Sequence, residues 1–321
     1  MGAFGHILGN DLIKKSMVSS ALLGRVSHAY IISGADGSGK KLLANAFAKS
    51  ILCGKIPLLG GVPRSGGVVH EGYCGTCKSC KTYDSGNNPD LVFISPQKTS
   101  LGIEEIRENI IENLSVLPYE AAKRVYIIND AHKLTPAAQN AMLLTLEAGP
   151  KFAVFLLLAN SLANFLPTIL SRCINYKVQP LNEDVIRSYL ENNMQLEGSK
   201  AQIAASFAHG SLGRAIALAT DEDFTALRTM VLNLAQKPDF MDIAEIFAAA
   251  KSLEQYKDQV NDILDILKLH YRDTLISQQN TQNTINKIHA IDDIKEKLKS
   301  NCNYLLCMEV LLLQLMRRET T

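Results

Sequence analysis

Over its first 180 residues the chain alternates short unbroken apolar runs with segments whose apolar positions recur at helical spacing. His28–Ser33, Leu91–Ser95, Arg124–Asn129, Phe152–Asn160 and Asn175–Val178 are of the first kind. They are too short for ordinary helices and rich in β-branched and aromatic residues, so each predicts a strand. Lys41–Leu52, Ile103–Leu117 and Ala137–Ala148 are of the second kind and predict helices, the middle one amphipathic throughout. Ahead of the last, Thr135-Pro136 supplies an N-cap and a proline at the first helical position. Strands apolar on both faces and separated by helices predict a parallel α/β sheet.

After Gln179-Pro180 the strand pattern stops. Asn182–Asn193, Lys200–Gly210 and Ser211–Thr220 predict three short helices, a compact lid-sized unit. Longer helical stretches follow from about Asp223 and end in Tyr304–Arg318, which is apolar almost all round and so predicts a core helix of a bundle or oligomer. The expected organisation is an α/β domain over 1–179, a helical lid over 180–222 and a helical domain over 223–321. One long irregular piece, Gly54–Tyr73, lies within an insertion at 53–80.

Two motifs carry chemistry. Gly34, Gly37 and Gly39 precede Lys40 and Lys41 between a predicted strand and a predicted helix, the setting of a phosphate-binding loop. In such loops backbone N–H groups and the helix N-terminus cradle phosphates, and the lysine reaches their oxygens. The position after that lysine calls for Ser or Thr to bind Mg²⁺, and Lys41 cannot serve. The acidic partner motif is altered too: the strand ends Asn129-Asp130 where an Asp-Glu pair would hold the metal and polarise water. Taken alone, Asn129-Asp130 also reads as a strand end before a turn. Together the changes predict a loop of ATPase ancestry without competent hydrolysis, and make ATP binding doubtful.

The second motif is Cys74-x-x-Cys77-x-x-Cys80. Three close thiols suggest a metal rather than disulfides, and Cys53 would complete a tetrahedral, structural zinc site. His70 is the competing fourth ligand. Of the other cysteines, Cys302 and Cys307 are expected to be buried thiols. Arg172, in Ser171-Arg172-Cys173 behind a short predicted helix, reads either as a helix cap or as an arginine finger aimed at a neighbour's γ-phosphate.

Composition narrows the classes. The formal net charge of +1 places any nucleic-acid contact on local patches. The longest apolar runs fall far short of the roughly 20 residues of a bilayer helix, and no signal peptide is evident at the start, so a cytoplasmic protein is expected.

These features in this order resemble the delta-prime/tau-gamma family of bacterial clamp-loader subunits. The resemblance runs over the first 215 residues: GHILGNDLIKKSMVSSALLGRVSHAYIISG, the glycine loop, the cysteines followed by NPDLVFI, RVYIINDAHKLTPAAQNAMLLTLEAGP, FLPTILSRC and GSLGRAIAL. It implies an AAA+ P-loop α/β domain with a zinc knuckle, a helical lid and a C-terminal helical collar for oligomerisation. It also implies tau/gamma and delta subunits as partners in a five-subunit assembly that loads a sliding clamp onto primed DNA in the replisome. By the same resemblance Asn160 is the polar sensor-1 residue, and Gly213 stands where the sensor-2 arginine would fall, with Arg214 one position late. The losses at Lys41, Asn129 and Gly213 resemble the delta-prime member, a non-hydrolysing stator within the DNA-directed DNA polymerase III holoenzyme, whose Arg172 completes the ATP site of the next subunit. The alternative is an active tau/gamma-like ATPase; a zinc-lidded nucleotide kinase stands further off.

Overall fold

The computed structural model describes residues 4–54, 72–236, 242–277, 281–300 and 302–316. His70, the competing zinc ligand, lies outside them. The chain forms two compact units, Met1–Ile216 and Ala217–Thr321.

In chain order the first unit contains α1 (Asp11–Leu22), β1 (Ala29–Ser33), α2 (Lys40–Leu52), α3 (Lys78–Asp84), β2 (Leu91–Ile94), α4 (Ile103–Asn109), β3 (Arg124–Ile128), α5 (Pro136–Ala148), β4 (Ala153–Ala159), α6 (Pro167–Leu170), β5 (Ile174–Lys177), α7 (Glu183–Met194) and α8 (Gly198–Phe207). α9 (Leu212–Thr220) spans the boundary between the units. The strands form one parallel sheet in the order β2-β3-β4-β1-β5. Every residue of β1 and β4 is buried, as a sheet covered by helices on both faces requires. Successive side chains alternate between two cores: Tyr30, Ile32, Val125, Ile127, Leu156 and Leu158 pack with Phe47 and Leu43 of α2. Ala29, Ile31, Tyr126, Ile128, Phe155 and Leu157 pack on the other face with Ile106 of α4 and Met142 of α5. Because β1 sits between β4 and β5, the carboxyl ends of β1, β3 and β4 open side by side where the strand order reverses, the usual place for a ligand in an open α/β sheet.

The expected helix over 103–117 stops early. α4 ends at Asn109, a 3₁₀ turn covers Ile111–Asn113, and the chain then runs as a loop. That loop is held from a distance: the fully buried Asp90 carboxylate accepts hydrogen bonds from the N–H groups of Tyr119, Glu120 and Ala121 at 2.6–2.8 Å. The Arg124 guanidinium donates to the carbonyls of Asn113, Val116 and Pro89, which pins the same loop from the other side.

The second unit continues with α10 (Glu222–Ala235), α11 (Ile243–Ser252), α12 (Val260–Ser277), α13 (Thr281–Lys299) and α14 (Tyr304–Met316). Its core draws on Leu227, Ile246, Leu253, Ile263, Leu267, Ile291, Ile294, Met308 and Leu311. Lys268–Asp292 and Lys295–Asp265, at 2.6 and 2.9 Å, join α12 to α13. α14 buries Cys307, Met308, Leu311, Leu312 and Leu315, in line with its apolar sequence. Cys302 departs from expectation: it is exposed, because it precedes α14 instead of lying on its buried face. Among the described residues no strand follows β5, and no helix is long and apolar enough to cross a membrane.

Candidate functional site

The glycine loop leaves β1 and turns into α2 through two residues with left-handed backbone, Gly37 (φ 69°) and Gly39 (φ 91°), which a side chain would disfavour. Lys40 opens α2, and its ammonium donates to the carbonyls of Gly34 and Ala35 at 2.8 and 2.7 Å. Burial pulls the Lys40 pKa down, against the opposing pull of Asp36 and Asp130. Lys41 stands on the first turn of α2, and its ammonium lies over the Phe93 ring of β2, 4.7 Å from the centroid.

At the end of β3, Asn129 donates its N–H to Ile94, and Asp130 takes a left-handed backbone (φ 47°). The Asp130 carboxylate is paired with Lys133 at 3.1 Å. At the end of β4, the Asn160 N–H donates to His132 Nδ1, and its Oδ1 is buried with no hydrogen-bond partner among the described residues. The sheet therefore gathers Lys40, Asp130 and Asn160 at adjoining strand ends.

The turn into α9 packs directly on the loop. Gly213 donates its N–H to the Gly37 carbonyl at 3.0 Å, and Ser211 Oγ donates to the Asp36 carbonyl at 2.6 Å. Contact is backbone against backbone: a Cβ on Gly213 would meet Gly37 Cα at 2.8 Å, and one on Gly37 would meet Ser211 Oγ at 2.6 Å and Arg214 N at 2.9 Å. The position expected for a sensor-2 arginine is thus occupied by main chain packed on main chain.

Cys53 caps the C-terminus of α2, and Cys77 caps the N-terminus of α3, accepting from the Cys80 N–H at 3.4 Å. The sulfurs of Cys53, Cys74, Cys77 and Cys80 all lie within 4.8 Å of one another, with Cys53–Cys77 and Cys74–Cys80 each at 4.0 Å. A tetrahedral site with bonds of about 2.3 Å needs sulfurs about 3.8 Å apart, so the cluster has the size to hold a metal ion. Backbone N–H groups aim at the sulfurs: Cys74 N–H at Cys53 and Cys77 N–H at Cys74, both at 3.3 Å. Burial raises the Cys74 pKa, but the N–H groups of Thr76 and Cys77 outweigh it and bring the thiol to about 5. Burial and the neighbouring sulfurs push Cys80 up instead.

Arg172 lies just beyond α6. Its guanidinium donates to the Thr168 carbonyl at 2.9 Å and Ser171 Oγ at 3.2 Å, and pairs with Glu147 of α5. It is one-third exposed, so the helix-cap bond leaves it accessible. Burial pushes the adjacent Cys173 thiol up to about 12, which keeps it neutral.

A family model described as DNA polymerase III, delta subunit, matches residues 9–182, more than half of the chain. The chain belongs to that family. The match spans the sheet, the glycine loop, the four cysteines and Arg172. A relative named DNA polymerase III subunit delta' from Bacillus subtilis (strain 168) is 29% identical over 94% of this chain and 95% of its own length. The DNA polymerase III subunit tau of Escherichia coli (strain K12) is 30% identical over 68% of this chain, which spans only 32% of tau. A solved DNA polymerase III gamma subunit-related protein from Thermotoga maritima aligns with 96% of this chain and 99% of its own, at 18% identity and a TM-score of 0.43. Within this DNA polymerase III family member, sequence reasoning did not single out Glu147, Ser211, Asp36 or Phe93. Glu147 lies 25 positions from Arg172 and Ser211 175 from Asp36, so no local spacing signals either contact.

Proposed function

We propose that this chain is the delta-prime-type subunit of a clamp loader, a stator that does not hydrolyse ATP itself and supplies Arg172 to the ATP site of a neighbouring tau/gamma subunit. The observation that carries the reading is the state of the glycine loop. Lys41 replaces the Mg²⁺-binding hydroxyl and leans on Phe93, Asn129 replaces the metal-binding carboxylate, and the Gly213 backbone fills the sensor-2 position. Near end-to-end similarity to the Bacillus subtilis delta' supports the choice over tau, which this chain matches over a third of its length. The assembly would contain tau/gamma and delta subunits joined through the helical second unit as a collar, and would act on a sliding clamp at primed DNA.

Cys53, Cys74, Cys77 and Cys80 would hold one structural zinc ion, closed to substrate because all four positions are taken by sulfur. Its contribution would be to join the end of α2 to the start of α3.

The test is the purified chain alone and within a complex reconstituted with tau/gamma and delta. Alone it should show no ATP turnover approaching the roughly 1–100 s⁻¹ of kinases; within the complex it should be required for clamp loading. Mg²⁺-dependent turnover by the isolated chain at that rate would establish the tau/gamma-like alternative instead.

A further inference from the structure

We infer that Glu147 is the positioning residue for Arg172, holding its guanidinium ready for a neighbour's phosphate; this rests on the proposed role of Arg172 in trans. The placement is braced at two points by one helix. Near the start of α5 the buried Gln139 side-chain amide donates to the carbonyls of Leu134 and Asn164 at 3.1 and 2.9 Å and accepts from the Leu166 N–H at 2.8 Å. Those bonds fix the segment entering α6, where Pro167 sets the first turn, and thereby the backbone from which Arg172 projects. Eight residues further along α5, about 12 Å at the usual helical rise, Glu147 meets the other end of the same arginine at Nη2.

The guanidinium is therefore held at both of its terminal nitrogens. Nη1 is committed to Thr168 and Ser171, Nη2 faces Glu147, and the guanidinium stays partly exposed. A long arginine loses considerable rotamer freedom when it engages a phosphate, and a side chain already ordered loses less. The partly exposed ion pair is weak enough to yield. A carboxylate as the anchor, in place of an uncharged group, also holds the guanidinium without competing donors.

Glu147 itself would touch no substrate, so its effect must pass through Arg172. The experiment compares unmodified, Arg172→Ala, Glu147→Ala, Glu147→Gln and the Arg172→Ala/Glu147→Ala double variant, each reconstituted with tau/gamma and delta, measuring clamp-dependent ATPase kcat and KM, with gel filtration to verify assembly. Glu147→Ala should remove at least half of the turnover that Arg172→Ala removes, in kcat with KM for ATP within about twofold. Glu147→Gln, which keeps shape and an acceptor oxygen, should recover part of it. The double variant should be no slower than Arg172→Ala alone, because two residues acting through one group are not additive. If Arg172→Ala slows the complex but Glu147→Ala does not, the positioning role is refuted and the finger stands. A double variant slower by the product of the two single effects refutes it equally. If Arg172→Ala has no effect, the trans role itself fails. Should Glu147→Ala not assemble, Glu147→Gln carries the comparison: a rate equal to the unmodified complex refutes the need for the charge, and a partial loss in kcat alone supports it.

Discussion

Replacing Gly37 by alanine tests the seal between the lid and the glycine loop, with Gly39→Ala as an internal control. Both glycines have left-handed backbones, at φ 69° and 91°, so both substitutions incur the strain of a side chain there, about 1–3 kcal/mol. Only Gly37 adds a steric effect. Its new Cβ would lie 2.6 Å from Ser211 Oγ, 2.9 Å from Arg214 N and 3.1 Å from Gly213 Cα, whereas nothing lies within 4 Å of a Cβ on Gly39. Two of those three atoms are main chain and cannot swing aside, so a further penalty of about 1–3 kcal/mol is expected. The lid segment would yield first, breaking the bonds from Gly213 N–H and Ser211 Oγ. Hydrogen exchange read on peptides covering 208–216 reports that opening directly. Exchange there should accelerate about tenfold to a hundredfold more in Gly37→Ala than in Gly39→Ala, since about 1.4 kcal/mol corresponds to one decade. Equal exchange in the two variants would refute the seal.

The remaining tests are simpler. Metal analysis of the purified chain should find one zinc, and Cys53→Ser should lower its retention against a chelator by at least tenfold, since the fourth sulfur is lost; undiminished zinc would move the fourth ligand elsewhere, to His70 first. Asp90→Ala should destabilise the first unit by on the order of 3 kcal/mol in urea unfolding, because three backbone N–H groups lose a buried carboxylate; a change below about 1 kcal/mol would mean that water replaces it. Lys49→Met keeps the stem but removes a buried ammonium that pairs with Asp84 at 2.5 Å and lies 4.0 Å from the centre of the Tyr73 ring; it should destabilise by about 1–3 kcal/mol, and a neutral result in thermal unfolding would assign those contacts no net worth.

The parallel sheet was legible because its strands are buried on both faces and so are written as continuous apolar runs, of which Phe152–Asn160 is the plainest. The glycine loop and the Cys74, Cys77 and Cys80 knuckle were legible because their residues are close in sequence, whereas Cys53, 21 positions before Cys74, was named from the need for a fourth sulfur. Contacts formed across the sequence were not legible. Beyond Asn109 the chain runs as a loop tied to Asp90, 29 to 31 positions from the amides it captures, where helical periodicity predicted more helix. Cys302 looked buried because it neighbours an apolar helix, yet helix membership begins only at Tyr304. At Gly213 the sequence registered a missing arginine; only the structure adds that the Gly37 backbone stands in the space.

The sulfur cluster bears on how this chain can vary. Cys53 and Cys74 bring the ends of a 20-residue segment together, so that segment is a closed loop whose anchors lie outside it. Closure entropy grows only with the logarithm of length, about 0.6 kcal/mol for each doubling. Residues can then be gained or lost between the two cysteines with little effect on the sheet or the glycine loop, provided the sulfurs themselves are kept.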